Sequence, residues 1–153
     1  MNGAAARKDI LAAFLDEVWS GGDVDACDRY IADEYVIHHD PGDPWDGQRL
    51  SLDGFKKRVR LSRAPFPDQR FTVQAMVAEE NSAEEIVVAV SWLWSATHQG
   101  DFPGFPATGN RLHMSGATFY HFDGQDRICG HWQATDRLGI FQQLQKNQGS
   151  RQS

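Results

Sequence analysis

The stretch Arg127-Ile128-Cys129-Gly130-His131-Trp132-Gln133-Ala134-Thr135-Asp136 reads as a β-strand that ends in a carboxylate, and chemistry is most readily placed there. Successive side chains of an extended strand point to opposite faces. Ile128, Gly130, Trp132, Ala134 and Asp136 therefore share one side, and Cys129, His131, Gln133 and Thr135 the other. The first of these faces is mostly apolar until its last residue. A carboxylate at the rim of an apolar, aromatic-lined surface has its pKa raised by desolvation, which turns an ordinary Asp into an acid or base usable near neutral pH. The same position, just after a strand and just before a helix-like run from Arg137 to Leu144, also suits a helix N-cap. Position alone leaves Asp136 both roles.

The six histidines are the other candidates. His38 and His39 point to opposite faces of an extended segment and no pair has the HxxxH spacing of a helical metal site, so no metal is expected. His98, His113, His121 and His131 fall on strands, where a ring facing a cavity could polarise a carbonyl or orient a ligand. Of these, His121 and His98 are the expected participants. Trp132 is expected to wall the pocket because it shares the Asp136 face, with Trp92 and Trp94 as core or wall. Tyr120 could donate to an enolate oxygen.

The rest of the chain must position these groups. With 153 residues it is expected to form a single domain over 1–145, followed by a polar tail at 146–153 expected to be disordered. A net charge of -6 and a pI near 5.4 argue against a nucleic-acid partner. The local exception, Lys56, Lys57, Arg58, Arg60 and Arg63, shares a helix with Phe55, Val59 and Leu61 and reads as a solvated face of a helix lying on the core. Cys27 and Cys129 are too few for a disulfide framework and lack CxxC spacing, so both are expected as free thiols. The opening Met1-Asn2-Gly3-Ala4 lacks the regions of a signal peptide and no stretch is long enough to span a bilayer; a cytoplasmic protein without a membrane partner is expected.

Ile10, Leu11, Phe14, Leu15 and Val18 recur at helical spacing up to Gly21-Gly22. Asp23 can cap a short helix from Val24 to Ile31, before a strand at Tyr35–His38. The run Asp40-Pro41-Gly42-Asp43-Pro44-Trp45-Asp46-Gly47 must be a loop, because each Pro removes a donor and restricts its neighbour. Ser51 opens a third helix that stops before Pro65. Strands are expected over Arg70–Glu79, Ile86–His98 and Arg111–Phe122, with turns at Glu80–Glu85 and Asp123–Asp126. The strand from Ile86 is apolar on both faces, and Val88, Val90, Trp92, Trp94 and His98 align on one of them. Its other face calls for a second layer or a second subunit, so a homodimer or higher homo-oligomer is expected. Phe102 and Phe105 in the Gly- and Pro-rich segment Gln99–Asn110 suggest a loop folded over something. Helices first and long strands afterwards give an α+β domain in which a curved antiparallel sheet wraps the N-terminal helices as a cone with one open mouth.

Several strings in order resemble the SnoaL-like polyketide cyclase family, within the superfamily of ketosteroid isomerase and the nuclear transport factor cone fold. They are Val18-Trp19-Ser20-Gly21-Gly22-Asp23, His39-Asp40-Pro41-Gly42 with Gly47, Phe66-Pro67-Asp68, Thr97-His98-Gln99-Gly100-Asp101-Phe102, Pro106-Ala107-Thr108-Gly109, Phe122-Asp123-Gly124, and Trp132-Gln133-Ala134-Thr135-Asp136-Arg137-Leu138-Gly139 with Gln143-Leu144. The resemblance implies cofactor-free acid–base chemistry, an intramolecular aldol closure of a small apolar polyketide ester, with Asp136 at the matching carboxylate position. Phe14, His39 and Phe102 then join the tryptophans and Tyr120 around the substrate. The ketosteroid isomerase branch places its base in a pair resembling Asp40-Pro41, making Asp40 the alternative base of a hydrolase or isomerase. That branch's oxyanion hole is not matched, since Phe14 or Leu15 and Thr118 stand where a Tyr and an acid would be, and steroid isomerisation is not expected. A non-catalytic ligand-binding dimer is the third expectation.

Overall fold

In the computed structural model, which describes residues 3–80 and 86–152, the apolar period of the N-terminus forms helix α1 (Gly3–Phe14), which widens into a π-helical turn over Leu15–Ser20. The wider turn keeps Leu11, Phe14, Leu15, Val18 and Trp19 all buried. Asp23 accepts from the Ala26 amide at 3.3 Å and starts a 3-10 turn (Val24–Ala26) that runs into α2 (Cys27–Tyr30). Strand β1 (Ile31–His39) follows, then the loop and a short β2 (Arg49–Ser51) that sequence alone does not reveal. Ser51 caps α3 (Leu52–Arg63) by accepting from Gly54 N at 3.0 Å.

Long strands β3 (Arg70–Glu80), β4 (Ile86–Thr97), β5 (Arg111–Phe122) and β6 (Ile128–Thr135) complete a six-stranded sheet of order β2-β1-β6-β5-β4-β3. All pairs are antiparallel except β1 with β6, which is parallel and departs from the purely antiparallel expectation. The turn expected at Glu80–Glu85 falls, from residue 81, outside the described residues. Helix α4 (Arg137–Gln152) continues past Leu144 into the tail expected to be disordered; Gln148 Nε2 donates to Pro106 O at 2.8 Å. Cys27 and Cys129 are free thiols.

The sheet has one face on the helices and one outward. Val88, Val90, Trp92, Trp94 and His98 of β4 point inward and are buried, while Leu93 on the other face is half exposed. The inner face packs on α1 and α3 through rings such as Phe14 on Tyr120 (6.3 Å between centroids) and Tyr35 on Phe55 (4.7 Å). On β6 the register with β5 shifts between His121 and Phe122, leaving Cys129 as the extra residue of a bulge. Ile128 therefore pairs with Phe122 on the inner side, but beyond the bulge the inward residues are His131, Gln133 and Thr135, opposite Tyr120, Thr118 and Gly116. Trp132 and Ala134, opposite Phe119 and Ala117, face outward.

Gly116 faces inward beneath the Trp92 ring, and a Cβ there would lie 2.4 Å from Trp92 Cζ2 and 2.9 Å from the Ala134 carbonyl oxygen. Gly116→Ala is expected to cost about 1–3 kcal/mol by overpacking. Urea unfolding reads this as a lower midpoint at unchanged slope; an unchanged midpoint would show that Trp92 can move aside.

Candidate active site around Asp40

Asp40 leaves β1 at the head of the Pro-rich loop and its side chain is fully buried. A carboxylate withdrawn from water must be paired or protonated. Here His131 Nε2 lies 2.9 Å from Oδ2, Gln133 Nε2 3.2 Å from Oδ2 and 3.3 Å from Oδ1, Arg58 Nη2 3.3 Å from Oδ2, and Arg137 Nη2 3.3 Å from Oδ1. Arg58 also donates to Asp43 Oδ2 at 3.1 Å, so two guanidiniums face two carboxylates and the charges balance.

Local structure delivers each partner. The loop closes on itself, Asp40 N donating to Asp46 Oδ1 at 2.6 Å and Trp45 N to Asp43 Oδ1 at 2.8 Å. Gly42 has φ +90°, and a Cβ there would sit 3.0 Å from Arg137 Cδ and Nε, so glycine lets Arg137 pass from the start of α4 to Asp40. Arg58 shares the inward face of α3 with Phe55 and Val59, its guanidinium 5.3 Å from the Trp19 ring and 6.0 Å from Trp45. His131 and Gln133 come from the inner face of β6.

On its far side His131 Nδ1 lies 2.6 Å from Tyr35 Oη. An ionised Asp40 can only accept, so Nε2 carries the imidazole proton and Nδ1 accepts from the Tyr35 hydroxyl, an assignment made from the partners. Burial pushes His131 below its ordinary pKa, with Arg58 adding to the shift and the Asp40 hydrogen bond opposing it. Burial pulls Asp40 upward, but the His131 hydrogen bond and the Arg58 and Arg137 charges outweigh it and hold the carboxyl below its ordinary value. Tyr35 is raised well above its usual range, by burial first and then by neighbouring Tyr120. At neutral pH the triad is thus Tyr–OH, neutral imidazole and carboxylate. Three residues here also hold buried polar atoms with no hydrogen-bond partner, Arg58 Nε, Arg137 Nε and Thr135 Oγ1.

Asp136 stands elsewhere. Its carboxylate is exposed on the outer side, accepts from Gly139 N at 2.9 Å as the cap of α4, and lines an outer-face cleft of about 400 Å3 with His113 and Ser115. The face containing Ile128 was apolar for a reason the alternation did not carry across the bulge. His121 is also outside, its ring 4.9 Å from His38 beside a second cleft of about 410 Å3. Trp132 is 40 % exposed and stacks on His39 at 4.6 Å, so neither walls the interior. Phe14, Trp92, Trp94 and Tyr120 are buried inner-face residues, and Trp94 Nε1 donates to Gln69 at 3.1 Å. His98 is buried behind Phe66, its Nε2 unpartnered, and Phe102 packs on Phe66 at 5.8 Å. Of the expected participants, Asp40 alone sits in the polar cluster.

His131, Gln133, Arg58, Arg137 and Tyr35 were missed as a group. The available signal was Arg58 one turn from Phe55 on an apolar helix stripe, and the polar alternation His131, Gln133, Thr135 on the last strand. Among the described residues, no three His, Cys, Asp or Glu side chains are grouped as metal ligands would be.

Over residues 9–144 the chain matches the family model of SnoaL-like polyketide cyclases. It belongs to that family. A protein from Acidithiobacillus ferrooxidans, provisionally described as a polyketide cyclase, shares 50% identity over 96% of this chain and 99% of its own, with a TM-score of 0.87. IdmH from Streptomyces antibioticus, with the same provisional description, is 26% identical over 90% of this chain and 97% of its own (TM-score 0.71). A SnoaL-like polyketide cyclase from Agrobacterium tumefaciens is 25% identical over 90% and 97% (TM-score 0.66). The curated proteins include no match. The curved, unclosed sheet over helices is the nuclear transport factor-like cone these SnoaL-like structures share. No helix among the described residues is long and apolar enough to cross a membrane.

Both folded-state pKa values in the Asp40–His131 pair lie below their ordinary values, so the unfolded chain binds more protons and stability is lost as the pH is lowered. For His131 the loss begins near the ordinary value of 6.5, continuing downward; for Asp40 it begins near 3.8. Chemical unfolding from about pH 8 to about pH 5 should show declining stability in wild type and a flatter profile in His131→Gln. Equal slopes in the two proteins would contradict a neutral, buried His131.

Proposed function

We propose that this SnoaL-like protein carries out cofactor-independent acid–base chemistry, an aldol-type closure of a small apolar polyketide or ester, with the Asp40–His131 pair as its proton-handling centre in place of Asp136. The observation that carries this reading is a fully buried carboxylate supplied with donors by four side chains, beside buried donors still lacking partners. Oδ1 is the oxygen suited to react. Its contacts, from Gln133 and Arg137, are both 3.3 Å, whereas Oδ2 also holds His131 at 2.9 Å. Arg137, at 33% side-chain exposure, is the partner an incoming oxygen reaches most easily; Arg58 is at 6%.

In this reading a substrate carbonyl draws the Arg137 guanidinium away and Oδ1 takes a proton from the adjacent carbon. The enolate oxygen is held by the displaced guanidinium. The enolate carbon then forms the ring bond with an internal carbonyl, and the protonated Asp40 returns its proton to the resulting alkoxide. A carboxylate held below its ordinary pKa is a weak base, so the substrate class is restricted to carbon acids flanked by two carbonyls, whose enolate is already delocalised. His131 keeps Oδ2 occupied and so directs the reaction to Oδ1.

A 1,3-dicarbonyl ester in D2O tests the reading without the natural substrate. Wild type is expected to accelerate deuterium incorporation at the central carbon, Asp40→Asn to lose about 100-fold or more, and Asp136→Asn to keep the rate. Retention by Asp40→Asn with loss in Asp136→Asn would move the base back to the last strand. Thermal unfolding accompanies the comparison, since removing a buried ion-pair partner costs about 3–5 kcal/mol.

The non-catalytic reading has its own observation. The rings Phe14, Tyr35, Phe55, Trp92 and Tyr120 are all buried in one core, and the two clefts described above lie on the outer face. Absence of exchange in every variant would favour it. In either reading the outer face suits a second copy of the chain, since Val77, Leu93, Phe119 and Trp132 are each 40–65% exposed there. Leu93→Glu is expected to convert a sedimenting dimer to monomer at micromolar concentration, and a monomeric wild type would sink the dimer.

A further inference from the structure

We propose that Thr118, held in place by Trp92, is a positioning residue that locks the Gln133 amide with its NH2 toward Asp40. The chain of contacts runs across three strands. Trp92 Nε1 on β4 lies 2.9 Å from Thr118 Oγ1 on β5, Thr118 Oγ1 lies 2.7 Å from Gln133 Oε1 on β6, and Gln133 Nε2 reaches both Asp40 oxygens at 3.2 and 3.3 Å. Its polarity follows from two groups that cannot turn round, one at each end. An indole N–H donates and never accepts, so the Thr118 oxygen must accept from it. That leaves Thr118 a second lone pair as well as its proton, and the other end decides between them: the Asp40 carboxylate only accepts, so the Gln133 carbonyl oxygen is the atom left to accept the Thr118 proton. The amide NH2 is thereby turned to the carboxylate.

Packing holds each member in place. Thr118 is fully buried and Trp92 nearly so, Thr118 pairs directly with Gln133 across β5 and β6, and Gly116 leaves room for the Trp92 ring. A flipped Gln133 would set an amide oxygen against the carboxylate and take away the acceptor that the Thr118 hydroxyl now uses. The relay therefore keeps Oδ1 and Oδ2 as acceptors in the resting protein. The direction of the amide stands by itself; its effect on turnover rests on the reading of Asp40 as the base.

Thr118→Val keeps the shape and removes the hydroxyl, Thr118→Ser keeps the hydroxyl, and Trp92→Phe removes the indole donor. The first readout is hydrogen exchange of the Gln133 side-chain NH2 by NMR at neutral pH. It is expected to accelerate about tenfold or more in Thr118→Val, less in Trp92→Phe, and to stay near wild type in Thr118→Ser. The second is the acidic limb of the pH–rate profile for deuterium incorporation into the 1,3-dicarbonyl ester, expected to move up by about one pH unit in Thr118→Val and to return in Thr118→Ser. Unchanged Gln133 protection in Thr118→Val, or a Thr118→Ser that fails to restore it, overturns the relay. Altered protection with an unmoved limb supports the relay and removes Asp40 as the base. Should Thr118→Val fail to fold, Trp92→Phe against Thr118→Ser decides the same question.

Discussion

A carboxylate that has lost its water is the constraint from which much of this structure follows. Asp40 retains its charge only because His131, Gln133, Arg58 and Arg137 converge on it, and each of those groups obliges a further one. Arg58 needs Asp43 and the faces of Trp19 and Trp45; Arg137 needs a residue without a side chain at Gly42; His131 needs the Tyr35 hydroxyl. Such a cluster is expensive to build and contributes little net stability compared with an apolar core of equal volume. Retention of so many polar groups in the interior is more easily understood if they act on something.

The sheet supplies the geometry for that convergence. Joining β1 to β6 in parallel brings the end of β1, with Asp40 beyond it, alongside the inner residues of the last strand. The bulge at Cys129 then decides which residues those are. Without it the inner face would carry Gly130, Trp132 and Ala134 and no polar group until Asp136; with it, the face carries His131, Gln133 and Thr135. One extra residue thus exchanges an aromatic wall for a hydrogen-bonding one.

Helix α4 links this centre to the rim of the cone. Its first residue, Arg137, reaches Asp40, while Phe141 packs on Phe105 and Gln148 bonds to Pro106 in the Gly-rich loop after β4. That loop in turn covers Phe66 through Phe102. The helix and the loop thus hold one another in place.

Read alone, the chain determined the elements and their order apart from β2 and the length of α4. The helical period from Ile10 to Val18, the caps at Asp23 and Ser51, the Pro-rich loop at 40–47 and the alignment of Val88, Val90, Trp92, Trp94 and His98 on one face follow from local rules of spacing, capping and steric exclusion. Asp40 was visible as a candidate only through the resemblance of Asp40-Pro41-Gly42 to the ketosteroid isomerase motif. Face assignment on β6 was not, because alternation propagates a sign error through any unrecognised bulge, and a bulge is set by how neighbouring strands twist and pair. Nor could the sequence join Asp40 to Arg58, His131, Gln133 and Arg137, which lie as much as 97 residues apart from it. Their meeting is a product of closure of the curved sheet over α3, and the electrostatic need of a buried carboxylate explains why the meeting is specific.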